Sequence, residues 1–93
     1  MQDDSFEWDD VKSKANLKKH KVSFEVARGA FDDPVAIVNL DTREDYGEDR
    51  MNWTGMVGSG LLTVTYVERD RIRIISARKA NRDEQDEYND NQG

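Results

Sequence analysis

The sequence of 93 residues contains no cysteine, one histidine and one proline. Without cysteine the chain forms neither a disulfide nor a Cys-ligated metal site, and the single His20 argues against a His-based site. No apolar run approaches the ~20 residues that cross a bilayer, and the first ten residues are acidic where a secretory signal is basic and then apolar. We therefore expect a cytoplasmic protein, not attached to a membrane, that uses no metal or other cofactor.

Length and composition predict one small globular domain. Ninety-three residues suffice for a modest core and leave no room for a second domain, so we expect a single domain over 1–93 with a polar, frayed tail at 89–93. Charged residues make up 37% and hydrophobic residues 35% of the chain. The aromatic residues and a dense Val/Ile/Leu stretch are typical of a globular rather than a disordered chain.

The formal net charge of −6 conceals a segmented pattern. Segments 12–28 and 50–82 each sum to +5, and the three segments around them are acidic. If folding brings the two basic segments together, they form a local anion site; alternatively, the charges alternate for solubility. The overall sign argues against a protein that coats nucleic acid non-specifically.

Two helices are predicted after a short edge strand at residues 5–8. Asp9 or Asp10 caps the first helix, which ends near His20. One face of this helix holds Val11, Ala15 and Lys19. Ser23 caps the second helix. The second helix has an apolar stripe made of Phe24, Ala27 and Phe31. It is stopped by the segment Asp32 to Pro34.

The apolar period then changes to two, which predicts an antiparallel meander of four strands. The strands are 35–40, interpreted as buried, then 50–57, 61–68 and 71–77, with a polar loop at 41–49 and turns at Gly58 to Gly60 and Arg69 to Asp70. Ser76 is placed to cap a third helix with Ala80, Glu84 and Tyr88 on one face. The predicted fold is α+β, in the order β-α-α-β-β-β-β-α: a small antiparallel sheet, two N-terminal helices and one C-terminal helix.

The segment from Arg71 to Ala80 holds candidate anion-binding residues. In a regular strand one face carries Arg71, Arg73, Ile75 and Ala77, and the other, the core face, carries Ile72, Ile74 and Ser76. Arg78 is expected in the first turn of the third helix, where a cation makes sense if it and the free N–H groups bind one anion. Alternatively, Arg73 pairs with Glu48 or Glu68 and Arg78 points into water.

Other candidates have two interpretations each. His20 suits proton transfer near neutral pH, or it is a charge cap at the end of the first helix. Tyr88 packs its ring on the sheet, or it donates to an anion, while Glu84 orients an arginine. The acidic pairs at 9–10 and 32–33 sit where helices need a cap or a stop, so no metal site is predicted.

Several segments, in matching order and spacing, carry a resemblance to a known family. They are FEWDDVKSKANLKKHKVSFEVARGAFDD (6–33), YGEDR (46–50), Gly55, Tyr66, RIRIISARKA (71–80), and the Glu-x-x-x-Tyr of Glu84 and Tyr88. In these segments, which cover almost the whole length, the chain resembles BrnT toxins, the ribonuclease half of the BrnT/BrnA type II toxin–antitoxin pair, related in fold to RelE toxins.

The resemblance implies a metal-independent endoribonuclease that arrests growth by cutting RNA. It also implies a BrnA-type antitoxin with a ribbon-helix-helix domain, through which alone the complex contacts operator DNA. Cleavage without metal uses the RNA 2′-OH as nucleophile, with His20 or Glu48 as base or acid. The expected phosphate-stabilising arginines are Arg50, Arg73 and Arg78. The expected RNA-binding residues are Lys12 and Lys19 for flanking phosphates and Tyr88 for a hydrogen bond or base stacking.

The sequence departs from the family pattern around the closing Glu-x-x-x-Tyr, where relatives tend to be basic. Here stand Asp83, Gln85, Asp86 and Glu87. A negative helix beside the site repels RNA, so the tail faces away, gates the site, or marks a weak member; we favour the first. Two other functions stay open: a non-catalytic module that mainly binds its antitoxin, and an RNA-binding protein that does not cleave.

Overall fold

The computed structural model describes residues 2–42 and 47–92. Its elements are β1 (Phe6–Glu7), α1 (Asp10–His20), α2 (Phe24–Arg28), a 3₁₀ segment (Gly29–Asp32), β2 (Ile37–Leu40), β3 (Met51–Val57), β4 (Gly60–Glu68), β5 (Ile72–Lys79) and α3 (Arg82–Asp90). The predicted α+β class and element order are confirmed. Part of the predicted 41–49 loop, including Tyr46 of the YGEDR segment, lies outside the described residues, as does the last residue of the tail.

The five strands form one sheet in the order β1-β5-β4-β3-β2. Strands β2 to β5 are the predicted antiparallel meander, and Gly58, with φ of 59°, lies in the tight turn between β3 and β4. β1 pairs in parallel with β5, with Phe6 opposite Ile72 and Glu7 opposite Arg73. Because this one pair is parallel and the other three are antiparallel, the sheet is mixed rather than purely antiparallel as predicted.

The main core lies between one face of the sheet and the segment that contains α1, α2 and the 3₁₀ turn. Its buried residues are Trp8, Val22, Phe24, Ala27, Ala30, Leu62, Val64, Ile74 and Ala77. The ring of Phe31 extends this core, with its centroid 4.8 Å from that of Trp53 and 5.2 Å from that of Tyr66. Phe24 and Ala27 of the predicted stripe are buried on α2, whereas this helix ends at Arg28, so Phe31 lies in the 3₁₀ segment that follows it and not in the predicted longer helix. Among the described residues, no helix has the length and apolar character that a membrane span requires.

The first helix begins and ends as predicted, but its buried side is polar. Asp9 caps it by accepting from the N–H of Val11 at 2.8 Å, and its last residue is His20. Val11 is 76% exposed, and the residues that α1 buries are Ser13 and Asn16. Sequence spacing groups residues by face but does not indicate which face is buried when buried contacts are hydrogen bonds.

The first strand of the meander is an exposed edge, so the prediction of a buried strand at 35–40 is wrong. β2 begins at Ile37, and Val38 and Leu40 are 41% and 51% exposed. Only β3 pairs with β2 in the described sheet. An apolar run of this length fits a central or an edge strand equally well, because periodicity carries no information on position within the sheet.

The last strand is longer than predicted, and Ser76 does not cap the third helix. β5 continues to Lys79, which lies opposite Leu62 of β4. The N-cap is Asn81, whose side chain accepts from the N–H of Glu84 while the Glu84 carboxylate accepts from the N–H of Asn81. Pairing with β4 and this reciprocal cap together override the weaker capping signal of a serine. Arg78 is consequently a strand residue and not part of the first helical turn.

Candidate functional site

A β-bulge at Ile75 decides which side chains share a face of β5. Thr65 of β4 lies opposite Ser76, and the next residue of β4 lies opposite Ile74, so Ile75 has no partner. Beyond the bulge the alternation of side chains shifts by one residue. Arg73 and Arg78 are five positions apart and would lie on opposite faces of a regular strand. The bulge puts both on the same face.

The same shift corrects the predicted grouping of the strand residues. Ala77, expected beside Arg73, is fully buried in the core with Ile74. Ser76, expected in the core, lies opposite Thr65 on the arginine side. The arginines lie opposite Val67 and Thr63 of β4, which are four residues apart, so their backbone positions are separated by about 13 Å at a rise of ~3.3 Å per residue.

A third arginine belongs to this face by register. The backbone N–H of Asp41 donates to the carbonyl of Arg50 at 2.7 Å, which extends the β2–β3 pairing one step beyond the Leu40–Met51 pair. Continued one step, the β3–β4 register puts Arg50 in one row with Val67 and Arg73. The predicted arginines Arg50, Arg73 and Arg78 therefore occupy the side of the sheet opposite the α1–α2 core.

Arg78 is held by α3. Its Nη1 and Nη2 donate to the two oxygens of Glu84 at 2.6 and 3.0 Å. Burial disfavours the ionised form of Glu84, but the hydrogen bonds from Arg78 and from the N–H of Asn81 outweigh it, so the pKa of Glu84 is lowered. The carboxylate thus orients the guanidinium, as one interpretation of the sequence expected. Arg78 lies near the end of β5 and Glu84 in the first turn of α3, so the pair joins strand and helix.

Among the residues that the structure describes, Arg73 has one side-chain partner, which lies on the neighbouring strand β1. Its Nη1 donates to Oε2 of Glu7 at 3.1 Å, and the two residues are directly opposite in the β1–β5 pair. The expected partners, Glu48 and Glu68, were wrong because the sequence does not reveal that β1 lies beside β5. Glu48 instead accepts from Arg69 at 3.0 Å, on the exposed surface.

The candidates on α1 lie on a different element. The helix lies against the outer edge of β5, where Asn16 bonds to Ala77. His20 is the last helical residue, one turn beyond Asn16 and half-buried, while Lys12 and Lys19 are exposed. Within the described residues, no hydrogen bond or ion pair joins His20 to the arginines. The strand register thus groups the arginines on one face, while His20, Lys12 and Lys19 lie on α1.

Tyr88 takes the packing role that the sequence left as an alternative. It is 6% exposed, and its hydroxyl donates to Oδ2 of Asp33. Asp33 also accepts from the N–H of Met56 at 2.8 Å and from that of Val35 at 3.0 Å. Burial opposes ionisation of Asp33, but these hydrogen bonds prevail and lower its pKa; in turn, the bond to Asp33 raises the pKa of Tyr88. This group fastens α3 to the sheet.

Sequence reasoning missed the polar residues under α3. Thr54 and Thr63 share a hydrogen bond of 3.0 Å, and Thr65 donates to Asn52 at 2.7 Å. The signal was present in LLTVTYV, where threonines alternate with apolar residues, as expected of a strand with one polar face. Among the residues described, no group of three or more His, Asp or Glu side chains is arranged to hold a metal ion.

The other carboxylates of α3 face away from the arginines. A groove of about 520 Å³ between α3 and β2 is lined by Ile37, Asp83, Asp86, Glu87, Asp90 and Asn91. Glu87 also accepts a hydrogen bond from the Asn39 side chain at 2.8 Å. Within the described residues of this helix, Glu84 is bonded to Arg78 of the sheet, and Asp86 lies 3.9 Å from Arg82 of the helix itself. This arrangement agrees with the interpretation that the acidic surface is turned away from the site.

Together these features define a small α+β domain that presents arginines and their carboxylate partners on one face of a mixed sheet. Residues 8–84 match the family model described as "Ribonuclease toxin, BrnT, of type II toxin-antitoxin system". The match covers most of the 93-residue chain, so the protein belongs to the BrnT family. No curated protein gives a significant match. The matched range includes Arg50, Arg73 and Arg78; Glu7 and Tyr88 lie outside it.

Proposed function

We propose that this chain is a toxin that cleaves RNA without a metal ion. The ribose 2′-oxygen attacks the adjacent phosphorus and the 5′-oxygen leaves, which yields a 2′,3′-cyclic phosphate and a 5′-hydroxyl end. A base takes the proton of the 2′-OH, and an acid protonates the leaving oxygen. The observation that carries this proposal is the shared face of the three arginines in a chain that belongs to a ribonuclease toxin family.

The arginines are proposed to bind the non-bridging phosphate oxygens as negative charge develops on them. A guanidinium presents planar pairs of N–H donors that match two such oxygens. Arg78 is oriented before substrate arrives, since Glu84 contacts it at two points. Groups fixed in this way stabilise a transition state without reorganising, and the loss of one such donor commonly lowers the rate by about 10²–10³-fold.

The acid and the base are proposed to be His20 and Glu48, in either order. Glu48 is exposed and bound to Arg69, and His20 ends α1 next to the exposed Lys19. Lys12 and Lys19 are proposed to contact flanking phosphates. A hydrogen bond from Tyr88 to RNA requires its hydroxyl to leave Asp33, and stacking on a base requires its buried ring to become exposed. We therefore assign this residue to holding α3 instead.

The decisive test is cleavage of end-labelled RNA by the purified chain in EDTA. We expect products that end in 2′,3′-cyclic phosphate, and a loss of about 10²-fold in rate for Arg73→Ala and Arg78→Ala. The matched control is Arg82→Ala, which removes the same charge from an exposed side chain 3.9 Å from Asp86. Intact RNA after incubation with folded protein, or equal rates for Arg73→Ala and Arg82→Ala, would refute the proposal.

Membership of a type II system implies an antitoxin partner and an RNA target. We propose that the partner is a BrnA-type antitoxin with a ribbon-helix-helix domain, and that operator DNA is contacted only through it. A neighbouring reading frame for such a protein, and its co-purification with this chain, are the expected results.

A second candidate function is a module that mainly binds its antitoxin and cleaves RNA weakly or not at all. It is favoured by the ion pairs that Arg73 and Arg78 already form with Glu7 and Glu84, since a phosphate has to compete with these carboxylates. Expression of the chain without antitoxin separates the two functions. Growth arrest that Arg73→Ala and His20→Ala abolish supports the nuclease, whereas a stable antitoxin complex with no effect of either variant in cells supports the binding module.

A further inference from the structure

The outer edge of β5 has a strand neighbour over only part of its length. β1 covers Ile72 and Arg73, and the N–H of Ile72 donates outward to the carbonyl of Ser5 at 2.9 Å. Beyond the bulge at Ile75, the backbone groups of Ala77 point to the same edge, where no strand of the described sheet pairs with them.

The side-chain amide of Asn16 takes the place of the missing strand. Its Nδ2 donates to the carbonyl of Ala77 at 2.8 Å, and its Oδ1 accepts from the N–H of Ala77 at 3.2 Å. Nδ2 also donates to the carbonyl of Val22 at 2.7 Å. Asn16 is 8% exposed, so these bonds are shielded from water. An amide places donors and an acceptor on two separate atoms, as a peptide unit does, whereas a hydroxyl donates its single proton and accepts at the same oxygen, and an ionised carboxylate only accepts.

The two hydrogen bonds between Asn16 and Ala77 require the bulge in β5. In a regular strand, alternate residues point their backbone groups to the same edge, so Ile72, Ile74 and Ser76 would face outward and Ala77 would face β4. The bulge reverses this order, and Ala77 faces Asn16. Because Arg78 follows Ala77 directly, the register that satisfies Asn16 is also the one that puts Arg78 on the same face as Arg73.

We propose that Asn16 is a positioning residue: its amide holds Ala77 in the bulged register and thereby keeps Arg78 on the phosphate-binding face. The role in RNA binding rests on the proposed function, whereas the effect on Arg78 does not. Among the described residues, the side chain of Asn16 bonds to the backbone of Val22 and Ala77, so its proposed effect on Arg78 is transmitted through the backbone of β5.

The first test uses the unmodified protein. Hydrogen exchange followed by NMR should show the amide of Ala77 protected as strongly as amides within the β4–β5 pair. Exchange as fast as that of an exposed amide would overturn the proposal, whatever the variants do.

The second test compares Asn16→Ala with Ser13→Ala. Ser13 is also buried on α1, but its Oγ accepts from the N–H of Phe24, a residue of α2, at 3.1 Å. The readout is the titration of Glu84 by NMR, since its carboxylate reports the presence of Arg78. In Asn16→Ala the pKa of Glu84 should rise towards its ordinary value, and in Ser13→Ala it should not change. If the pKa of Glu84 is unchanged in folded Asn16→Ala, the proposal is overturned.

The third test measures binding of a single-stranded RNA that carries 2′-O-methyl groups and so is not cut. Arg78→Ala and Asn16→Ala should each weaken binding by about 5–10-fold, Ser13→Ala should not, and the double variant Asn16→Ala/Arg78→Ala should bind like Arg78→Ala alone. If the double variant binds RNA more weakly than Arg78→Ala, by the product of the two single-variant losses, the proposal is overturned. If the unmodified protein binds no RNA, the proposed function fails, while the exchange and titration results still decide the role of Asn16.

Discussion

Arg73 and Arg78 differ in how firmly their partners hold them. Arg78 has two hydrogen bonds to Glu84, and the carboxylate is itself fixed by the N-cap of α3. Arg73 has one bond to Glu7, on a strand of two residues. We therefore expect Arg78 to be pre-oriented and Arg73 to adapt to its ligand. A phosphate must compete with a carboxylate at both positions.

At the residue scale we predict that Glu84→Gln destabilises the fold. A neutral amide cannot form the charge-assisted pair with Arg78, so the free energy of unfolding should fall by about 1–3 kcal/mol. Urea denaturation at neutral pH measures this change. The control is Asp86→Asn on the same helix, whose carboxylate is 3.9 Å from Arg82 and exposed, and which should stay within about 0.5 kcal/mol. Equal effects of the two variants would contradict the role given to Glu84.

At the scale of elements, the 3₁₀ segment and β3 approach each other closely at one glycine. A Cβ on Gly55 would lie 2.6 Å from the carbonyl oxygen of Ala30 and 2.9 Å from Nε1 of Trp53. These two atoms form a hydrogen bond of 2.7 Å. Gly55 therefore permits the indole to bond to the helical layer, which joins the two layers of the core at this point.

We predict that Gly55→Ala costs at least about 2 kcal/mol of stability, through steric overlap and the loss of the indole hydrogen bond. Denaturant unfolding followed by tryptophan fluorescence measures it. Gly60→Ala is the matched control, because a Cβ there would meet only the carbonyl oxygen of Val57, at 3.7 Å. If Gly55→Ala unfolds at the same denaturant concentration as Gly60→Ala, the close approach is not a constraint on the fold.

At the scale of the whole molecule, α3 is attached to the sheet by ionised carboxylates. Glu84 binds Arg78, and Asp33 accepts from Tyr88 and from the N–H of Met56. Both carboxyl groups have a lowered pKa, since hydrogen bonds to the ionised form exceed the opposing effect of burial. The attachment of this helix is consequently sensitive to acid.

We predict that the fold loses stability below about pH 4.5. A lowered pKa in the folded state stabilises the protein at pH values above the ordinary values of 4.5 for Glu84 and 3.8 for Asp33, and this contribution disappears as the pH falls through the folded-state pKa values. Unfolding free energies at pH 7, 5 and 3 should show little change over the first interval and a decrease over the second. Asp33→Asn should reduce that decrease; the same pH profile in the variant would rule out Asp33 as a contributor.

The contribution of Tyr88 to stability has the opposite pH dependence: it is lost when the pH rises rather than when it falls. Its bond to Asp33 raises its pKa above the ordinary value of 10.0, so its contribution is complete below that value and is lost as the pH rises through the folded-state pKa. Asp33 and Tyr88 thus limit the attachment of α3 at both ends of the pH scale.

The sequence by itself determined the element order, the cap at Ser23, a first cap at Asp9 or Asp10, and the buried face of α2 with Phe24 and Ala27, because these depend on near neighbours in the chain and on local hydrogen bonds. It also determined family membership, which its ordered motifs carry. Only the tertiary structure decided that β1 pairs with β5, that β2 is an exposed edge, and that a polar face of α1 is buried. It also decided the bulge that brings Arg73 and Arg78 to one face. Each of these depends on partners distant in sequence, and hydrogen bonds across the sheet outweigh local preferences there.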